Sequence, residues 1–396
     1  MFVRLGSRFE SRRDNGLSHF LEHMIFRGTA RLRDAHAVNA SFERLGASLE
    51  ACTHVDYAVF ELDLPRTSFH AAAALLGEVL AEPLFPSIEV ERGIVSEELL
   101  EDLDDAGKQV NPDNIVRAAT YGRHPLGMTI TGGKRELARF TVDDLRRHHR
   151  RHFGGPSMVV VAAGAVDADE ALSTLSSAFG RFPATPTVRA EAPPPQRSPV
   201  TRHVRDAASQ TDVRISFRAF GESDPRMPAL EALMRIVDDG MATRLYRRLC
   251  DEGGLCYDTS GSYEVFEDDG VVDFAASVRH DRASAVVEGV LALVSELAED
   301  GPSVDELALA VQRHRWDVES ALDSPSSLAH LLGVSWLFGE ARSVEEHLKR
   351  LDAVTVAGVR AVASFLARRE RLTIATVGLA PLRERKRIDA LVHGFR

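Results

Sequence analysis

Residues 17–26 form an apolar stretch that carries two histidines and a glutamate, in the order His19-Phe20-Leu21-Glu22-His23. Apolar residues at this spacing predict a helix. On a helix, His19 and His23 lie one turn apart on a shared face, so both imidazoles reach one metal ion. Glu22 then hangs beside that ion without being a ligand. This constrains the fold, because an open zinc site takes three protein ligands and keeps one position for water. A second element must therefore bring a third ligand to the helix. The stretch Glu91 to Glu101 has helical character, with Ile94, Val95, Leu99 and Leu100 on an apolar face. Glu91, Glu98 and Glu101 fall near one another around that helix, and spacing alone does not choose among them.

The order His-x-x-Glu-His inverts the His-Glu-x-x-His motif of zinc proteases. With Gly16-Leu17-Ser18 before it and Met24-Ile25-Phe26-Arg27-Gly28-Thr29 after it, the pentad resembles the opening motif of the pitrilysin/insulinase family of metallopeptidases. Mitochondrial processing peptidase and its bacterial relatives are the branch it most resembles. Glu91-Arg92-Gly93-Ile94-Val95 followed by Glu98 is similar to the family's second motif, at about the family's interval from His23. Tyr121 to Gly127, Met158 to Gly164, Thr243 to Tyr246 and Gly254 to Tyr257 extend the resemblance over nearly the whole chain. It implies that His19, His23 and Glu98 hold Zn2+. It further implies that Glu22 activates water for peptide hydrolysis, and that Glu91 orients the site from behind the ligands.

A chain of 396 residues with 44% hydrophobic content is long enough for two domains. A net charge of −11 and the lack of a basic stripe argue against nucleic-acid binding. No apolar run is long enough to span a bilayer. The odd set Cys52, Cys250 and Cys256 argues against a disulfide framework, which points to a bacterial cytoplasm. A proline-rich connector at 183–199 divides the chain near its middle. The expectation is an N-terminal zinc-binding domain at 1–182 and a homologous C-terminal domain without metal at 200–396. Each is an α+β domain, a mostly antiparallel sheet with helices on one face, as in the half-clamshell of the family. Predicted helices include Ala71–Leu80 and Ser284–Ala298, and the late strands are Met158–Gly164 and Leu372–Gly378.

Two departures from the family pattern stand out. The motif arrives at residue 19, where relatives carry about two more strands, and Met1–Arg8 resembles the second of these. The first sheet is then expected to lack an edge, with an upstream targeting segment left open. Relatives also complete the site with an arginine seven residues before a tyrosine. Here Tyr257 is present, but Cys250 holds the arginine position, with Arg247 and Arg248 as nearby substitutes. The resemblance therefore implies a dimer in which this chain is the catalytic half. A homologous partner would bring the Arg/Tyr pair, with a homodimer as the other arrangement.

Gly46–Thr53 resembles the edge strand on which relatives receive unfolded peptide, with Glu50 where relatives often have asparagine. His54 and Asp56 read as structural. His148, His149 and His152 read as solvated surface at a basic helix end. The rival reading is a non-catalytic assembly subunit like the core proteins of the bc1 complex, which typically lose part of the zinc set.

Overall fold

The computed structural model describes residues 1–395 as two compact units. The first comprises Met1–Glu101, Met128–Glu191 and Ala321–Arg342, and the second Asp102–Gly127, Ala192–Ser320 and the described residues from 343 on. The change from one to the other at 191–192 falls inside the proline-rich connector. Two segments depart from a continuous division: 102–127 belongs with the second unit and 321–342 with the first. Neither exchange is anticipated by a boundary at 183–199.

The first unit is built on a four-stranded antiparallel sheet. Its strands are β1 (Phe2–Val3), β2 (Ser48–Thr53), β3 (Ala58–Asp63) and β4 (Met158–Val159), in the order β2-β3-β1-β4. Side chains on a strand alternate between faces. Val3 accordingly enters the main core with Phe20, Leu21, Phe42, Phe60 and Leu80, while Phe2 points to the opposite face. The main helical layer lies over the Val3 face. On the other face the helix Pro325–Leu337 covers Phe2, Val59 and Val159. It approaches closely, since a Cβ at Gly333 would fall 2.1 Å from the Phe2 ring. Only Met158 and Val159 of the expected strand at 158–164 pair, because their neighbour β1 runs just over Phe2 and Val3.

The second unit repeats the plan with a five-stranded sheet. Its strands are β5 (Val200–Val204), β6 (Thr211–Arg218), β7 (Thr259–Val265), β8 (Gly270–Val278) and β9 (Leu372–Val377), in the order β5-β9-β6-β8-β7. All neighbours are antiparallel except β5 and β9. Val213, Ile215 and Phe217 of β6 and Leu372 and Ile374 of β9 face the main core, under helices such as Ala283–Glu299 and Val356–Leu366. Ala375 and Val377 face the other way and meet Ile115 and Val116 of the helix Pro112–Tyr121. Each sheet thus carries its helical layer on one face, as expected. Each also carries, on the other face, one helix from the opposite half of the sequence. No helix among the described residues is long and apolar enough to cross a membrane.

Candidate metal centre and active site

The predicted motif helix forms over Leu17–Ile25 and is held at its N-terminus by a buried carboxylate. Glu10 accepts from the backbone N–H of Gly16 at 2.8 Å and of Ser18 at 2.6 Å, satisfying amides that a helix start leaves open. Gly16 occupies the left-handed region at φ 92°, and a Cβ there would meet Thr131 O at 2.5 Å. Ser18 Oγ hydrogen-bonds His148 Nε2 at 2.9 Å, which ties the motif helix to Val142–His152. The histidines of that second helix are not solvated surface, contrary to the sequence expectation. His148, His149 and His152 are all buried. His149 Nε2 bonds Leu80 O and His152 Nδ1 bonds Arg4 O of the chain leaving β1. Their positions continue the stripe begun by Leu145 at i+3, i+4 and i+7, the signal that marks a core-facing side.

The second motif helix is Ile88–Glu98. It follows a tight turn in which Phe85 and Ser87 take φ values of 58° and 57°, a costly conformation for residues with side chains. Arg92 anchors it by donating to the carbonyls of Leu137 and Phe140.

Together the two helices bring His19, His23 and Glu98 to one point. His19 Nε2 lies 3.3 Å from Glu98 Oε1, and His23 Nε2 lies 3.6 Å from Glu98 Oε2. One donor atom from each residue lies within 4.8 Å of the other two. Donors bound tetrahedrally to zinc at about 2.1 Å sit about 3.4 Å apart, so this cluster has the spacing of a ligand set. Glu101 is exposed beyond the helix end. Of the three glutamates, Glu98 is the one whose carboxylate stands with the two imidazoles.

Glu91 lies behind this cluster. Its Oε1 is 2.9 Å from His23 Nδ1, and its Oε2 is 3.1 Å from Arg27 Nη1. The contact at Nδ1 fixes the His23 ring and leaves Nε2 toward Glu98. Burial pulls the His23 pKa down, but the Glu91 hydrogen bond and the charges of Glu22, Glu98 and Glu91 outweigh it, leaving the net value raised. The hydrogen bond from His19 holds Glu98 below the usual carboxylate range. Glu22 stands beside the cluster, where Thr53 Oγ1 of β2 donates to its Oε2 at 3.0 Å.

Sequence reasoning missed Arg27, Thr53, Glu10 and His148. Arg27 lies two positions past the end of the motif helix and meets Glu91 of the second motif helix. Thr53 and His148 meet their partners only through the fold. His54 and Asp56 are structural as expected: Asp56 pairs with buried Arg8 at 3.5 Å, and His54 stacks on Tyr57.

Tyr257 belongs to the second unit and is 97% exposed. Cys250 and Cys256, also there, are free thiols with their sulfurs 3.4 Å apart. Burial and the Cys250 contact push the Cys256 thiol up to about 12. Arg247 pairs with Glu252 at 2.7 Å and Arg248 with Glu296 at 2.5 Å, so both candidate substitutes for an arginine at 250 are engaged within their own unit.

Residues 1–134 match the family model described as insulinase (peptidase family M16), and residues 139–313 match the model of the M16 inactive domain. A protein named as an uncharacterized zinc protease of Streptomyces coelicolor is 28% identical, spanning 98% of this chain and 85% of its own length. A probable mitochondrial-processing peptidase subunit beta of Arabidopsis thaliana is 25% identical over 96% of this chain and 73% of its own. Among solved structures, a protease from Helicobacter pylori superposes with a TM-score of 0.85 at 19% identity, covering 96% of this chain and 93% of that one. An M16 inactive domain protein from Pseudomonas fluorescens also reaches 0.85, at 20% identity over 95% and 91% of the two chains.

Proposed function

Because the chain belongs to the insulinase family of peptidases, M16, we propose that it is a zinc-dependent endopeptidase acting on unfolded peptides or on a precursor peptide. The observation that carries this reading is the convergence of His19, His23 and Glu98, with the Glu22 carboxylate alongside. The donor set, two imidazoles and a carboxylate, suits zinc. Zinc bound there supplies Lewis acidity and brings the pKa of water toward neutrality.

The chain's own residues do the rest. Thr53 holds Oε2 of Glu22, which leaves Oε1 to take a proton from the attacking water and return it to the leaving amine. Glu91 keeps His23 in the tautomer that presents Nε2 to the ion. Among the described residues β2 is an edge strand, paired with β3 alone, so its outer backbone is open to an extended peptide as an added strand. Because the strand carrying Thr53 also receives substrate in this reading, the cut falls beside Glu22.

Cys250 cannot place a fixed positive charge on an oxyanion. We therefore assign this chain the catalytic half of a dimer, with a homologous partner bringing the arginine. The test is cleavage of a quenched, unstructured peptide by the zinc-loaded chain alone and with a homologous subunit that carries an Arg/Tyr pair. Activity only in the mixture supports the paired enzyme. Full activity alone removes the need for a partner. No activity in either arm contradicts the peptidase reading.

A further inference from the structure

The second unit holds a cluster that peptide hydrolysis at the first site does not use. Three helices, Met227–Val237, Val304–Ala321 and Val344–Asp352, bring Glu231, His314 and His347 together. Nε2 of His314 and Nε2 of His347 face each other at 3.0 Å. With one carboxylate oxygen of Glu231 they make a set of donor atoms all within 4.8 Å of one another. Donors on one zinc ion sit about 3.4 Å apart, so the two rings need only a small outward shift to admit an ion. His314 is buried, and Glu231 and His347 are half-buried. The donor set repeats the chemistry of the first site on three helices instead of two.

The surrounding charges permit a cation. Arg235, the nearby cation, is tied to Asp239 at 3.1 Å and to Asp317 at 2.7 Å, and Arg313 is tied to Asp239 at 2.6 Å. A plain N–H···N bond between the rings is the competing arrangement for the 3.0 Å contact. The third donor, Glu231, is what turns a ring pair into a ligand set.

We propose that Glu231, His314 and His347 form a second metal site, which takes a divalent ion of the zinc type and ties three helices of the second unit together.

The test counts zinc bound to the full chain after dialysis, alongside thermal unfolding with and without added Zn2+. Variants are placed at the half-buried positions, His347→Ala and Glu231→Gln, to spare the core around His314. In the wild-type chain the expected stoichiometry is two zinc equivalents, falling to one in His347→Ala. In a His19→Ala/His23→Ala background one equivalent persists, and zinc still raises the Tm. Adding His347→Ala there abolishes both, while Glu231→Gln weakens binding by more than about tenfold. The double variant isolates this cluster, so failure of the first site and failure of the second give different counts. Loss of all zinc in the double variant, or binding unaffected by His347→Ala, overturns the proposal.

Discussion

At the scale of single residues, the site is a set of divided roles. Glu91 touches no substrate in this account but holds His23 Nδ1 at 2.9 Å, with Arg27 on its other oxygen. Glu91→Gln is expected to leave the fold intact and lower zinc affinity by about 10- to 100-fold, measured by competition with a chromogenic chelator. An unchanged affinity would reduce Glu91 to a bystander. Tyr257 is the opposite case, exposed and unneeded for packing. Tyr257→Phe should leave the Tm unchanged and, because the partner brings the Arg/Tyr pair in this account, leave kcat/KM of the mixture on a peptide unchanged; a fall of about tenfold or more would place this hydroxyl at substrate instead. Glu98 was singled out among the glutamates only by resemblance, whereas the pairing of His19 with His23 was legible in the sequence because helix spacing puts them on one face. Thr53 was not, because it reaches Glu22 across 31 positions through the placement of a strand against a helix.

At the scale of elements, the helix Val142–His152 shows how a local reading fails. Arg146, Arg147, Arg150 and Arg151 give it a basic look, yet they lie on the side away from Leu145 and the three histidines. Charge content hid the periodicity that marks the buried side. The consequence is a pH dependence of stability. Burial lowers the pKa values of His148, His149 and His152, the last to about 4. In the unfolded chain these groups titrate near 6.5. Between those values the unfolded state binds more protons, so stability is full above about pH 6.5 and is lost as pH falls toward 4. His23, with its raised value, acts in the opposite sense, while His203 and His314 are lowered as well and act with the three. Calorimetry of the zinc-free chain should show the Tm falling steadily from pH 7 to pH 4.5, and a flat profile would contradict this.

At the scale of the whole molecule, two sheets each depend on a helix from the far half of the sequence. The α+β class, the antiparallel pairing and the strand at 372–377 were legible, since periodicity and β-branched runs report on local structure. The exchange of 102–127 and 321–342 was not. An apolar helix face shows that it will be covered, but not by which sheet. Gly333 shows the fit, lying where any side chain would strike Phe2. Gly333→Ala should cost about 1–3 kcal/mol, read from urea unfolding, because overpacking a closed contact forces backbone shifts. A fragment ending at 191 lacks Pro325–Leu337 and leaves Phe2 and Val59 uncovered. It is expected to unfold without cooperativity when alone, and to regain a sharp transition when co-expressed with 192–396.

The central claim is that Glu22 moves the proton at a site whose metal is held by other residues. The measurement that meets it most directly is cleavage of a quenched, unstructured peptide by Glu22→Gln beside the wild type, with zinc content determined on the same samples and an Arg/Tyr-bearing subunit supplied where wild-type activity needs one. The account predicts unchanged zinc and a fall in kcat of at least about 100-fold. Wild-type rates from a zinc-loaded Glu22→Gln chain would contradict it.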